Sequence, residues 1–203
     1  QKNYAVSGGL HGVGSSVVNA LSSELKVTVM RDGAVHTQSF SQGKPTSKLK
    51  TGAATKKRGT EVYFRPDAEI FGAKQAFDEA VVLERLEAKA YLHGGLIIHF
   101  TDQASGESRE IVHPNGLADY LPKLVAERGK SPSHQGQFVH MHDREGEVRL
   151  EVALLWTESH EPSIKSYVNG IPTHAGGTHE SGLQSAVVKG LRGFIETKKI
   201  QPK

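Results

Sequence analysis

Apolar positions change their spacing several times along this chain, and each change marks an element. Val17, Val18, Leu21 and Leu25 recur at spacings that make one helical stripe, with Ser15 or Ser16 expected as the N-cap. Over residues 26–31 the spacing becomes two, with Val27 and Val29 on one side of a strand. Asp32-Gly33 follows, the strongest short signal for a hairpin, with residues 34–40 as the returning strand. Residues 60–65 read as a further strand, stopped by Pro66. Residues 73–92 predict the best helix of the chain, with Phe77, Val81, Leu86 and Ala90 on its buried face and His93-Gly94-Gly95 as the stop.

Residues 96–100 and 107–113 predict another hairpin, and Pro114-Asn115-Gly116 a turn that reads as a domain boundary. Beyond it a short helix is expected over 117–125, with Pro122 implying a kink or a late start. Residues 137–143, 148–157 and 164–169 read as three strands, and Trp156 with Leu154 and Leu155 as core. A second glycine-bearing loop covers 171–182, and a helix over 183–199 turns Leu183, Val187, Leu191, Phe194 and Ile195 inward. The predicted class is α+β, with local antiparallel pairing and no repeating βαβ unit.

Composition narrows this little. The 203 residues allow one domain or two small ones, and no apolar run approaches the roughly 20 residues a membrane helix needs. Cysteine is absent, which removes disulfides, thiolate metal sites and Cys nucleophiles and suits a reducing cytosol. The chain opens at Gln1, almost directly on a glycine loop and without a signal peptide, as an excised piece of something longer would. The formal net charge is +3, unevenly spread: residues 33–60 hold no acid but carry Lys44, Lys48, Lys50, Lys56, Lys57 and Arg58. A solvated loop and a phosphate-facing patch both fit that pattern.

Gly8, Gly9, Gly12 and Gly14 open straight into the first predicted helix. Glycine lets backbone amides approach an anion without an intervening Cβ, and a helix N-terminus adds partial positive charge. The order G-x-x-G-x-G is not the dinucleotide fingerprint, and no Gly-Lys-Ser/Thr follows as in a Walker loop. A tight helix entry that needs no ligand explains the same spacing.

Residues 6–14, Val-Ser-Gly-Gly-Leu-His-Gly-Val-Gly, followed by Val17-Val18-Asn19-Ala20-Leu21-Ser22, resemble the B subunits of bacterial type IIA DNA topoisomerases, gyrase and topoisomerase IV. Three further matches stand in the family's order: Arg58-Gly59-Thr60 leading to Phe64-Arg65-Pro66-Asp67, residues 167–173 (Tyr-Val-Asn-Gly-Ile-Pro-Thr), and Gly176-Gly177-Thr178-His179. The resemblance implies part of a GHKL-type ATPase sandwich, a mixed sheet with helices on one face, over 1–115. Over 116–203 it implies part of a small α+β transducer domain with a ribosomal-protein-like fold. It implies that Gly9, Leu10, His11, Gly12, Val13, Gly14 and Ser15 contact ATP. Tyr4 matches a lid aromatic near the nucleotide, and Thr60 a strand hydroxyl on the adenine side. Implied partners are DNA, the A subunit in an A2B2 assembly and a second copy of the B subunit, in the cytoplasm and away from membranes.

The family's catalytic Glu, its Mg2+-binding Asn and its Asp-x-Gly motif match nothing in this chain and are expected upstream, so no catalytic residue is assigned. The chain alone is expected not to hydrolyse ATP. Glu196-Thr197-Lys198 resembles the family's phosphate-sensing Gln-Thr-Lys loop but sits at the end of the wrong helix, and that role is not carried over. A non-catalytic DNA-binding or scaffold module that keeps the fold is the alternative. No metal site is assigned: His140 and His142 share a strand face and His174 and His179 flank the second glycine loop, but no third ligand has suitable spacing. The second glycine cluster fits either a further anion site or a structural turn. Lys189, Arg192, Lys198, Lys199 and Lys203 leave the last helix basic, as a solvated face or a weak DNA contact.

Overall fold

The computed structural model describes residues 13–74, 76–133, 139–146 and 148–200. Its contacts divide the chain into two compact units, 1–77 and 78–203. All strand pairings among the described residues are antiparallel, and helix and sheet mix in an α+β arrangement.

The first unit is one sheet with a short helix docked at its end. Helix α1 (Gly14–Ala20) runs into strand β1 (Ser22–Arg31), which pairs with β2 (Ala34–Ser41). Asp32 and Gly33 both take positive φ, 52° and 82°, the two-residue turn whose twist matches the strands it joins. On the far side of β2 lie β3 (Lys44–Pro45) and β4 (Lys50–Ala54), while β5 (Gly59–Pro66) pairs with the other edge of β1.

The predicted stripe Val17, Val18, Leu21, Leu25 is cut short, because the chain leaves the helix at Leu21 and Leu25 is buried on β1. Neither Ser15 nor Ser16 caps α1; Val13 holds the N-cap position, with no side-chain bond. The basic segment is not wholly loop, because β2 offers an open edge to which 44–45 and 50–54 pair.

A buried carboxylate ties this unit together. Asp67 is 4% exposed. Its Oδ1 accepts the Glu69 amide at 3.0 Å, capping the one-turn helix α2 (Ala68–Phe71). Its Oδ2 accepts the Gln42 side-chain amide at 2.6 Å. Gln42 and Gly43 form the β2–β3 turn with φ of 47° and 79°, and their amides donate to Ser22 O and Asn19 O at 2.8 and 3.0 Å. The Asp67 amide donates to Leu21 O. One side chain therefore holds the turn that satisfies the C-terminal carbonyls of α1.

The predicted helix over 73–92 begins six residues late, as α3 (Glu79–Leu92) at the start of the second unit. Asp78 accepts the Val81 amide at 3.2 Å and starts the helix there. Phe77 is thereby left in the first unit, 67% exposed and edge-on to Phe64 of the same unit. Hairpin β6 (Ile97–Thr101) and β7 (Ser108–Val112) forms as expected. Helix α4 (Leu117–Glu127) runs through Pro122, losing one bond to the Ala118 carbonyl. The turn 114–116 packs on the end of α3: a Cβ on Gly116 would stand 3.1 Å from Tyr91 O, and one on Gly94 3.2 Å from Pro114 O. That packing puts the turn inside the second unit.

Hairpin β8 (Val139–Glu145) and β9 (Val148–Leu154), the ribbon β10 (Tyr167–Val168) and β11 (Ile171–Pro172), and helix α5 (Thr178–Lys198) complete the unit. Trp156 is 45% exposed and is not core. Helix α5 starts five residues earlier than predicted, and Leu191, Phe194 and Ile195 on it are exposed, not inward. No helix among the described residues is long and apolar enough to cross a membrane.

The Asp67 carboxyl lies below its ordinary value of 3.8, chiefly through the Gln42 hydrogen bond and then the Glu69 amide. A lowered folded-state pKa adds stability that is complete above the ordinary value and is lost as pH falls through the lowered one. Asp67→Ala is expected to reduce the melting temperature by about 5 °C at pH 7. Thermal melts of both proteins should converge as the pH falls below 3.8.

Candidate functional site

The candidate site is the start of α1. Tyr4, Gly9, Leu10, His11 and Gly12 lie outside the described residues; Val13, Gly14, Ser15 and Thr60 are described and exposed. A helix leaves its first amides without intrahelical acceptors. In α1 these are Gly14, Ser15 and Ser16, the Val17 amide already donating to Val13 O at 2.9 Å, and no side chain among the described residues caps them. With no acid in the first turn, nothing in the helix competes for that end of its dipole.

Gly14 is informative. A Cβ built there meets no heavy atom within 4 Å, and its φ is not in the left-handed region. Neither packing nor backbone conformation in the described structure requires glycine at this position. Gly43 is the contrast: its φ is positive, and its Cβ would touch Ala20.

Thr60 stands near the start of β5, opposite Val29 on β1, whereas α1 meets the sheet at the other end, where Ser22 pairs with Pro66. The register separates those ends by about 20 Å. No hydrogen bond among the described residues links Thr60 to the first turn of α1.

The second glycine cluster is a turn closed on itself. Glu180, in the first turn of α5, accepts from Ser166 Oγ, and Ser166 Oγ is bonded to Thr173 Oγ1. Thr173 Oγ1 lies 3.2 Å from His179 Nε2. A Cβ on Gly176 would stand 3.2 Å from Glu180 Oε2, and one on Gly177 2.8 Å from the His179 ring. The Glu180 carboxylate thus sits in the first turn of α5, held by Ser166 and not bonded to the helix amides, and this network supports the structural-turn reading of the cluster. Among the described residues no group of three or more His, Cys, Asp or Glu could hold a metal, and His140 Nε2 instead faces Glu151 Oε1 at 3.1 Å.

Periodicity alone does not reveal an aromatic column beside this turn. Tyr91 stacks between His113 and Tyr120, with ring centroids 3.6 and 4.5 Å away. Lys123 pairs with Glu87 and lies 5.4 Å from the centre of the Tyr91 ring. Tyr120 and Tyr167 hydroxyls approach to 3.5 Å, and burial, then this hydrogen bond, pushes Tyr167 up to about 12. Lys89 Nζ reaches Gly170 O at 2.7 Å, which fixes the Asn169-Gly170 turn to α3.

The family model described as DNA gyrase B matches residues 116–203. The chain is 42% identical over 209 residues to the B subunit of DNA topoisomerase 4 from Caulobacter vibrioides, an alignment covering 97% of this chain and 30% of that protein. It is 38% identical over 202 residues to the B subunit of DNA gyrase from Streptococcus pyogenes, with the same coverage. The chain therefore spans about a third of the length of these relatives. Among solved structures, the 43K ATPase domain of Thermus thermophilus gyrase B in complex with an aminocoumarin superposes with a TM-score of 0.82 at 34% identity. That match covers 95% of this chain and 52% of the other. The topoisomerase IV ATP binding domain of Francisella tularensis gives 0.76 at 30% identity, covering 94% and 52%.

The substitution Glu180→Ala removes the charge in the first turn of α5 and the acceptor for Ser166. The expected loss is about 1 kcal/mol of unfolding free energy, read from urea denaturation.

Proposed function

Because the chain belongs to the gyrase B and topoisomerase IV B family, we propose that it is the stretch of such a protein that clamps the phosphates of ATP and passes on their presence. In this reading residues 1–115 are the later part of the ATPase domain, including the ATP lid, and 116–203 the first part of the transducer domain. The start of the family match at residue 116 supports that division.

The observation that carries the phosphate reading is the first turn of α1, which no side chain among the described residues caps and whose Gly14 meets no steric demand from them. Bare amides at a helix N-terminus suit phosphate oxygens. Amides of Gly14 and Ser15 donate to the triphosphate, each charge-assisted bond contributing about 1.5–3 kcal/mol. By the family resemblance, Gly9, Leu10, His11, Gly12 and Val13 continue the wrap, Tyr4 stands near the nucleotide, and Thr60 joins the adenine-side network. The separation of Thr60 from α1 along the sheet suits a ligand with two unlike ends. Since α1 is fixed through Asn19 to the β2–β3 turn and through Leu21 to Asp67 at the end of β5, contacts at its start bear directly on the sheet.

When bound, ATP supplies the free energy of the cycle. Among the described residues no group of three or more His, Cys, Asp or Glu could hold a metal ion such as Mg2+. In the whole protein, ATP binding and hydrolysis would close a dimer of B subunits around DNA and pass one duplex through another, with the A subunit in an A2B2 assembly in the cytoplasm.

Gly14→Ala separates ligand approach from folding. In the full-length protein the substitution is expected to leave the melting temperature unchanged or slightly raised, since alanine favours a helix over glycine by about 1 kcal/mol. The affinity for a non-hydrolysable ATP analogue, measured by calorimetry, is expected to fall about tenfold or more through loss of one phosphate contact. Equal affinity in the two proteins would contradict the assignment.

A further inference from the structure

Residues 44–58 form the outer edge of the first unit's sheet, and their charge is one-sided. Ser41 pairs with Lys44 at one end of β2, Thr37 with Lys50 in the middle, and Ala34 with Ala54 near the other. Lys56, Lys57 and Arg58 then follow beside the Asp32-Gly33 turn, where the Thr55 amide donates to Gly33 O. Seven strand steps set this edge at about 24 Å long. Lys44, Lys48, Lys50, Lys56, Lys57 and Arg58 are all exposed, and none makes an ion pair among the described residues. No acid occurs anywhere from residue 33 to 60.

We propose that this edge is a contact surface for the phosphate backbone of duplex DNA. A duplex presents about fourteen charges over 24 Å, a line of negative charge that a straight cationic edge of this length can follow. The composition of the edge separates duplex from other polyanions. No aromatic residue lies between Phe40 and Tyr63, so there is no platform on which unpaired bases could stack. Leu49 is the one large exposed aliphatic side chain within 44–58, too little apolar surface to anchor a chain in a lipid interface. A guard against strand pairing would also place lysine on an edge, but it would not call for six cations with no acid among them. The contact is independent of sequence and uses none of the phosphate-clamping residues assigned above.

The test is fluorescence anisotropy of a labelled mixed-sequence duplex titrated with the 203-residue chain over about 50 to 200 mM salt. Six seated cations give a log–log salt slope near −5. The triple variant Lys56→Gln, Lys57→Gln, Arg58→Gln is expected to flatten the slope by about two to three and to weaken binding at the low-salt end. These side chains are exposed, so the melting temperature serves as a control for folding. The matching variant in α5, Lys189→Gln, Arg192→Gln, Lys198→Gln, is expected to keep most of the slope. No measurable duplex binding, an unchanged slope in the 56–58 variant, loss confined to the α5 variant, tighter binding to the single strand, or binding to phosphatidylglycerol vesicles but not duplex would each overturn the proposal.

Discussion

The first unit depends on how the C-terminal end of α1 is held. A seven-residue helix is too short to persist on its own propensity, and this one buries none of its residues. What fixes it is a set of hydrogen bonds: Gly43 and Gln42 amides to Asn19 and Ser22, the Asp67 amide to Leu21, and the Asp67 carboxylate holding Gln42 in place. Because Gln42 sits at positive φ, a conformation unfavourable for a side chain with a Cβ, the carboxylate that holds it also sustains the turn. At the other end of α1 no side chain among the described residues caps the Gly14, Ser15 and Ser16 amides.

The second glycine cluster shows the opposite solution to the same geometry. Both segments lead from glycine into a helix, but α5 carries Glu180 in its first turn and α1 carries no acid there. Glu180 draws Ser166, Thr173 and, through Thr173, His179 into one network, which makes the loop part of the structure. A glycine-rich helix entry is therefore ambiguous until the residue at its third position is considered. That position is Ser16 in α1 and Glu180 in α5.

Much of the local structure was legible because it rests on short-range chemistry. Asp32-Gly33 supplies the paired positive φ values a tight hairpin requires; Asn169-Gly170 does the same, but the apolar spacing made Asn169 the end of a strand. Helix starts were less legible, because a cap competes with periodicity: Asp78 begins α3 well inside an apolar pattern that extends back to Ala73. Strands β3 and β4 were hidden in a Gly-, Ser- and Thr-rich stretch, since what makes them strands is the free edge of β2 and not their own side chains. Periodicity also marked an apolar face of α5 without showing what covers it, and β5 exposes apolar side chains too. Val62, Phe64, Leu191 and Phe194 are all exposed. Of the candidate site, the glycine spacing and the helix entry were legible in the sequence. That Gly14 meets no steric demand from the described residues was not, because it required the coordinates of those around it.

The most direct measurement of the central claim is amide hydrogen exchange across residues 13–17 in the full-length protein, with and without a non-hydrolysable ATP analogue. If the first turn of α1 donates to phosphate, exchange at Gly14 and Ser15 slows on binding, while the Gln42 and Gly43 amides, already bonded to Ser22 and Asn19, change little. Unaltered exchange at Gly14 and Ser15 under saturating nucleotide would show that these amides face something other than the ligand.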